Sequence, residues 1–393
     1  MKNDKYNIIL IIGVAIGVKL LYILFAFILA NNGVDFEYNS AYKINDTTKT
    51  NYINIFFKND AGWYENIATN GHKKIPASHL RPCPENSWQQ SPYAFFPLYP
   101  ATVNGLQQIT GLKYKPAAFI LALFFSLSLF CLFYYFIKLF SGSKNIALAA
   151  TLTIMLFPFS FYFSMGMTES LFLLLLILTF IGVHKNNIWL MGISAFLLVL
   201  VRPNGIIMSV PLGLYFLEKN VFAGRWRWFV KSDIKKIIPA FALLSMPVSF
   251  FGYCLYLQYM TGDFFAFSTA QAGWGKEWTN PLKVMIGKGF RGDDWRYNIE
   301  ILFTLLAMGI SIAGRKLIPF SFQVLIWLGL MLPLWAGTTI SMPRYISLLF
   351  PIFIILGYYL VNKVHAKPIV YGLLTILQLI SFYFWIISDP LSY

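Results

Sequence analysis

The sequence predicts an all-α polytopic membrane protein, and three observations carry that expectation. Of its 393 residues, 58% are hydrophobic and only 12% are charged, about half the charged share of a soluble domain. Mean hydropathy is +0.61. Apolar stretches recur from end to end, each bounded by charged or Pro/Gly-bearing text, and a stretch of about 20 such residues spans a bilayer.

The N-terminal text MKNDKYNIILIIGVAIGVKLLYILFAFILANNG places basic residues ahead of a long apolar run. That run exceeds the roughly 7–15 residues of a signal-peptide core, so an uncleaved first span is expected over 8–30. Lys19 interrupts it. A charge near mid-membrane costs about 2.5–3.5 kcal/mol on insertion scales, so Lys19 is expected to face the bundle or snorkel. Further spans are expected near 116–138, 145–162, 168–183, 188–202, 205–218, 237–260, 299–313, 318–335, 344–362 and 368–387, eleven in all. No internal repeat is visible, and residues 1–393 read as a single integral membrane domain.

The net charge of +15 reads as topology. It is no nucleic-acid signature, because the basic residues are not clustered on a face that water reaches. With the N-terminus in the cytoplasm, inner segments carry 15 basic residues against three acids, and outer segments 15 against 13. Short outer loops hold almost no Lys or Arg while every inner turn holds some, as the positive-inside rule expects. The C-terminus then lies outside. Residues 31–115 form a large first outer loop, 262–298 a second, and 219–236 a basic, Trp-bearing cytoplasmic loop suited to anionic headgroups. The long outer loops make the outer face the working face.

Within the first outer loop, DAGWYENIATNGH reads as a short helix, with Asp60 near its N-cap and Gly71 as its stop. AFFPLYPATVNGLQQIT is apolar but broken by Pro97 and Pro100. It is expected to form a re-entrant or interfacial hook, whose backbone must be buried in protein. Cys83, Cys131 and Cys254 offer no disulfide framework, and His72, His79, His184 and His365 are dispersed. No metal-ligand spacing is present.

Ionisable residues near membrane depth are costly, and each is a functional hypothesis. Glu169, Arg202 and Arg344 all fall at the outer ends of expected spans, on the side that carries Asp60 and Glu65. This set suits transfer from a phosphorylated lipid. Arginines hold phosphate through paired hydrogen bonds, and a carboxylate can deprotonate an acceptor hydroxyl. Trp63 and Tyr64 offer faces to a sugar ring. Plainer readings stand beside these. Asp60 and Glu169 can be helix caps, Arg202 and Arg344 can snorkel to headgroups, and Trp63 and Tyr64 can be interfacial aromatics. His72 can be a packed histidine, and AQAGWGKEW an amphipathic outer segment.

The motifs DAGWYENIATNGH, FFPLYP, TESLF, RPNG, AQAGWGKEW and PRYISLLFP occur in this order over roughly residues 60–351. In this the chain resembles the PIG-V mannosyltransferases, polytopic glycosyltransferases of the GT-C superfamily. The resemblance implies a GT-C-like bundle of about 11 transmembrane helices. It implies a polyprenyl-phosphate mannose donor, a lipid-linked glycan or glycolipid acceptor, inverting transfer, and no metal or other cofactor. It gives Asp60 the role of general base and Arg202 or Arg344 that of holding the donor phosphate. Glu65 or Glu169 would orient sugar hydroxyls, with Trp63, Tyr64, His72, Gln271, Trp274 and Tyr345 as further substrate contacts. The family places Trp before its acid and often Tyr after its glycine, where this chain has Asn59 and His72. The alternative from another class is a lipid or lipid-linked sugar transporter without transfer chemistry. The asymmetric polar face and lack of repeats distinguish the chain from the usual transporter pattern. Ile/Lys/Asn-rich usage places it in a bacterial plasma membrane, with the endoplasmic reticulum as the eukaryotic counterpart.

Overall fold

The computed structural model describes residues 2–32, 34, 52–80, 90–220, 238–289, 294–389 and 391. Most of the basic loop expected at 219–236, together with Cys83, lies outside the described residues. Parts of both segments expected as outer loops do as well. The described elements are helices, and no strand occurs among them.

The first apolar run forms α1 (Lys2–Asn31). Two loop helices follow, α2 (Ala61–Asn70) and α3 (Leu98–Thr110), and between them the segment expected as a hook begins with a 3-10 turn, Pro92–Ala94. Then come α4 (Tyr114–Ser141), α5 (Lys144–Leu156) and α6 (Glu169–Lys185). Pro158 ends α5 early, because the residue before a proline is pushed out of helical conformation. Phe157 is accordingly extended, and a 3-10 turn, Ser160–Ser164, leads to α6.

Next come α7 (Ile188–Val199), α8 (Asn204–Ile207) and α9 (Ser209–Asn220). Arg202 and Pro203 sit in the break after α7. A 3-10 stretch, Ile238–Leu244, runs into α10 (Ser245–Thr261). The segment expected as the second outer loop contains α11 (Ala266–Thr269), a 3-10 turn at Ala270–Trp274, and α12 (Pro281–Val284). The chain finishes with α13 (Trp295–Ala313), α14 (Phe320–Trp335), α15 (Met342–Ser347), α16 (Phe350–Leu360) and α17 (Ala366–Ile386).

Helix thus stands at each of the eleven expected places. Among the described residues, five helices are long and apolar enough to cross a membrane by length and composition: Asp4–Asn31, Tyr114–Ser141, Ile238–Thr261, Trp295–Ala313 and Ala366–Ile386. The others are shorter or broken, so length alone supports five crossings. Large apolar residues such as Leu20, Phe124, Val248, Leu302 and Ile369 face outward. In water so much exposed apolar surface would drive association; here it is the surface an integral membrane protein offers to lipid.

At the centre, α6 packs between α4 and α7, and α16 packs on α5. Small residues permit the close approaches, as is usual between membrane helices. A Cβ on Gly182 would lie 2.7 Å from the Met191 nitrogen, and one on Gly357 would lie 2.8 Å from the Ala150 Cβ.

Charges gather at both ends. Asp4 pairs with Lys138 at 3.1 Å and Lys144 at 3.3 Å, joining the start of α1 to the α4–α5 turn. Glu169 begins α6 after α5 has run its length, so it sits at the opposite end. Lys19 faces the bundle, its ammonium donating to Ser164 Oγ at 2.5 Å.

Candidate functional site

Three chain breaks converge at the Glu169 end. The first is the turn before α2. Asn59 takes a left-handed conformation, φ 55°, which asparagine tolerates better than most residues. Asp60 stands at the N-cap position, but its side chain caps nothing. Its Oδ2 instead accepts a hydrogen bond from Arg344 Nη1 at 3.1 Å. Oδ1 accepts none from the described residues. The turn is held from behind by Lys58, which is 1% exposed. Lys58 Nζ donates to the Ile386 carbonyl at 2.5 Å and to Ser388 Oγ at 3.0 Å. A cation here satisfies the orphaned carbonyls that end α17 and suits the negative end of its dipole. Trp385 Nε1 adds a bond to the Ile55 carbonyl at 2.7 Å. The last helix thereby fixes residues 55–58 just ahead of α2.

The second break precedes α6. Glu169 is fully buried, and its Oε1 accepts from Arg344 Nε at 2.7 Å and Arg202 Nη2 at 2.8 Å. Arg344 Nη2 lies 2.6 Å from the same oxygen. The third break, before α15, supplies Arg344, whose guanidinium also sits 4.7 Å over the Tyr162 ring, a favourable cation–π placement. Charges this deep need partners. Asp60, Arg344, Glu169 and Arg202 supply one another's, so neither arginine snorkels. Glu169 Oε2 and Arg202 Nη1 are buried yet make no hydrogen bond to another described residue.

These groups floor a cavity of about 590 Å³. Of the residues expected at the site, it is lined by Asp60, Trp63, Tyr64, Arg202, Gln271, Trp274, Arg344 and Tyr345. Trp63 stacks on Phe95 with centroids 5.9 Å apart, and Trp274 meets both rings edge-on at 6.1 and 5.6 Å. One wall is thus aromatic and the floor charged. The Tyr64 hydroxyl lies 3.3 Å from Thr168 Oγ1, and burial pushes its pKa well above the ordinary phenol value, so it stays neutral.

Glu169, Glu65 and His72 are absent from the lining. Glu169, expected as a contact to sugar hydroxyls, has no exposed surface to offer a sugar and lies beneath the arginines. Glu65 is half-buried in α2, turned off the cavity face. His72 stacks on Tyr93 at 4.8 Å, with Nε2 3.4 Å from the Pro92 carbonyl. Burial lowers its pKa below the ordinary value, and bonds to backbone carbonyls only partly offset this. The cavity also takes in Gln90 and Thr338, which lie outside the motifs, and Asn204 and Lys276, which lie within RPNG and AQAGWGKEW but were given no role. Behind it, Glu300 is 2% exposed and accepts from Thr339 Oγ1 at 2.8 Å and the Ser341 backbone N–H at 3.1 Å. Its signal was present in the sequence: an acid inside an expected span. Among the described residues, no group of three or more His, Cys, Asp or Glu is placed to hold a metal ion.

Fold and site together define an all-helical integral membrane protein with a charged, aromatic-walled cavity at one end of its bundle. Among solved structures, the chain is similar to the oligosaccharyltransferase of Archaeoglobus fulgidus. Against its apo form the TM-score is 0.49 at 14% identity, covering 96% of this chain and 56% of that one. Against the same protein, AglB, in complex with an inhibitory peptide and a dolichol-phosphate, the score is 0.46 at 12% identity, with the same coverage. Against its complex with Zn and sulfate the values are 0.45 and 12%, covering 96% and 53%. The chain spans about half the length of these structures. No protein-family model matches the chain, and no curated protein matches it.

Proposed function

We propose that this protein is a GT-C-type glycosyltransferase. On this reading it moves a hexose, mannose by its resemblance to the PIG-V enzymes, from a polyprenyl-phosphate donor to a hydroxyl of a lipid-linked glycan or glycolipid. The observation that carries the proposal is the lining of one cavity. A partly exposed carboxylate, Asp60, is held through a single oxygen, beside an arginine whose Nη1 is buried and unpartnered, facing an aromatic wall.

Each part has a role. Asp60 Oδ1 takes the acceptor proton. The acceptor oxygen bonds to the anomeric carbon as the bond from that carbon to the phosphate oxygen breaks on the opposite face, which inverts the centre. The electron pair leaves with the polyprenyl phosphate, and guanidinium groups meet its growing charge, stabilisation of the kind that dominates many active sites. Trp63 and Trp274 pack on the sugar; Gln271, Tyr64 and Tyr345 bond its hydroxyls. Glu169 holds both arginines in place. With guanidinium groups at the leaving phosphate, the step calls for no metal. The cavity opens on the outer face, the N-terminus lies in the cytoplasm, and the bundle crosses a bacterial plasma membrane eleven times as one domain.

The test is transfer from a polyprenyl-phosphate mannose to a glycolipid acceptor by the purified protein in nanodiscs. Asp60→Asn should slow transfer by about 10²–10⁴-fold, the usual worth of a positioned base, while the melting point falls by only about 2 °C as one charged hydrogen bond becomes neutral. Near-native turnover would remove Asp60 as the base. Movement of labelled donor across vesicles without transfer would point instead to a lipid-linked sugar transporter.

A further inference from the structure

We propose that Glu300 is a positioning residue. It sets the 338–341 turn, and through it Arg344, without touching the cavity. The kinetic half of this inference rests on the transfer reading above; the structural half does not.

A carboxylate buried in a membrane helix is retained only with partners. Two of Glu300's lie on one short turn, the Thr339 hydroxyl and the Ser341 backbone N–H. That turn has an unusual conformation. Ser341 is left-handed, φ 68°, a conformation that few non-glycine residues adopt. Thr338 Oγ1 tightens it, accepting from the Ile340 N–H at 3.0 Å. Ser341 is also the N-cap of α15, and its own side chain makes no cap bond. Arg344 follows three residues later, within the first turn of that helix. The angle at which α15 leaves Ser341 therefore sets where the guanidinium meets Asp60 and Glu169. The same segment gives the cavity Thr338, Ile340, Ser341, Arg344 and Tyr345. Glu300 does not line it, so its effect must pass through this turn.

A positioning role needs the two hydrogen bonds and not the charge. Glutamine can keep both, its oxygen accepting from the Ser341 N–H and its amide donating to the Thr339 hydroxyl, which is both donor and acceptor. Alanine keeps neither. The experiment compares Glu300→Gln and Glu300→Ala in nanodiscs by polyprenyl-phosphate mannose kinetics and by hydrogen exchange over 338–345. Glu300→Ala should lose about tenfold or more in kcat, since misplacing a reacting group by an ångström can cost 10²-fold. Its donor KM should hold within about threefold, because Arg202 lies on another segment. Exchange over 338–345 should quicken about tenfold in this variant. Glu300→Gln should stay within about threefold of the native protein in every readout.

A glutamine variant as slow as the alanine one would overturn the proposal, because the charge itself would then be needed. Native kcat or native exchange in Glu300→Ala would overturn it too. A native protein that transfers no sugar sinks the transfer reading alone, and exchange then decides on Glu300. Should Glu300→Ala not fold, Thr339→Val, which removes the hydroxyl donor on this turn, is measured in its place.

Discussion

Glu169→Gln tests the charged floor most directly. The native carboxylate draws both arginines onto one oxygen, with N–O separations of 2.6 to 2.8 Å. Hydrogen bonds to charged groups contribute about 1.5–3 kcal/mol and neutral ones about 0.5–1.5, so the two hydrogen bonds from Arg344 Nε and Arg202 Nη2 lose about 2–3 kcal/mol together. The new amide nitrogen takes the place of Oε2 or of the bonded oxygen, and in the first case it becomes a buried donor without a partner. That adds about 1–3 kcal/mol. The total, about 3–6 kcal/mol, brackets the about 3–5 kcal/mol cost of breaking a buried ion pair from one side. The assay is thermal unfolding in detergent followed by tryptophan fluorescence. A melting point lowered by several degrees is expected, since 1 kcal/mol shifts a large chain by about 2 °C. Adding Arg202→Gln removes one of the orphaned cations, so the double variant should recover about 1 kcal/mol relative to additivity. A single variant melting within about 1 °C of native, or strict additivity in the pair, would refute the reasoning.

Arg202→Gln alone should raise the donor KM about tenfold or more while moving kcat less, measured by initial rates over a donor series. Lys58→Met keeps the side chain's bulk but deletes its bonds to Ile386 and Ser388; a loss of about 3 kcal/mol is expected, with faster hydrogen exchange over 52–60. Gly166→Ala places a Cβ 2.3 Å from Phe57 Cε1; Phe57 is itself buried, so overpacking should cost about 1–3 kcal/mol in the same melt. His72 is held neutral by burial, with a folded pKa below the ordinary 6.5. The unfolded chain then binds the proton first, so stability is full above pH 6.5 and falls as pH drops below it. His72→Phe, which keeps a ring against Tyr93, should flatten that slope in melts taken from about pH 7.5 to 5.5.

How far the sequence could be read follows from where each side chain's partners lie. Long apolar runs mark helices whatever their neighbours, and Pro158, Pro203 and Pro351 mark the breaks, so helix stood wherever it was expected. Glu169, Arg202 and Arg344 were legible because a charge near membrane depth needs a reason, and Asp60 because its loop motif falls on the same side and resembles a family's. Lys58 was not. It sits in a polar loop and looks like a surface lysine, and its carbonyl partners lie 327 and 328 residues away. Glu300 obeyed the rule that picked out Glu169 and was passed over. Glu65 and His72 were drawn in by adjacency within a motif, which helical geometry overrides. In α2, residues 60, 63, 64 and 67 share a face at spacings of three and four. Asp60, Trp63 and Tyr64 reach the cavity on that face, while Glu65 is turned away from it.

The two arginines are engaged to different degrees, and this separates their roles on the transfer reading. A guanidinium has five N–H donors. Arg344 commits Nε and Nη2 to Glu169, Nη1 to Asp60, and a further Nη2 contact to Met167 Sδ at 3.4 Å. Among the described residues, Arg202 commits only Nη2, to Glu169. A donor phosphate therefore meets Arg202 without displacing anything, whereas it would have to pull Arg344 from the base. The charges balance through the step as well. Asp60, Glu169, Arg202 and Arg344 sum to zero, and the donor phosphodiester brings one negative charge. When Asp60 takes the acceptor proton it loses a negative charge, and the departing phosphate monoester gains one. The reaction moves a single negative charge from the carboxylate to the phosphate while the total in the cavity stays constant. As Asp60 becomes neutral its hold on Arg344 Nη1 weakens, which frees that donor at the moment the phosphate needs a second one. Stabilisation that strengthens only as the transition state forms raises kcat and not merely affinity, so on the transfer reading the ion pair between Asp60 and Arg344 is the form in which the resting site would hold that donor.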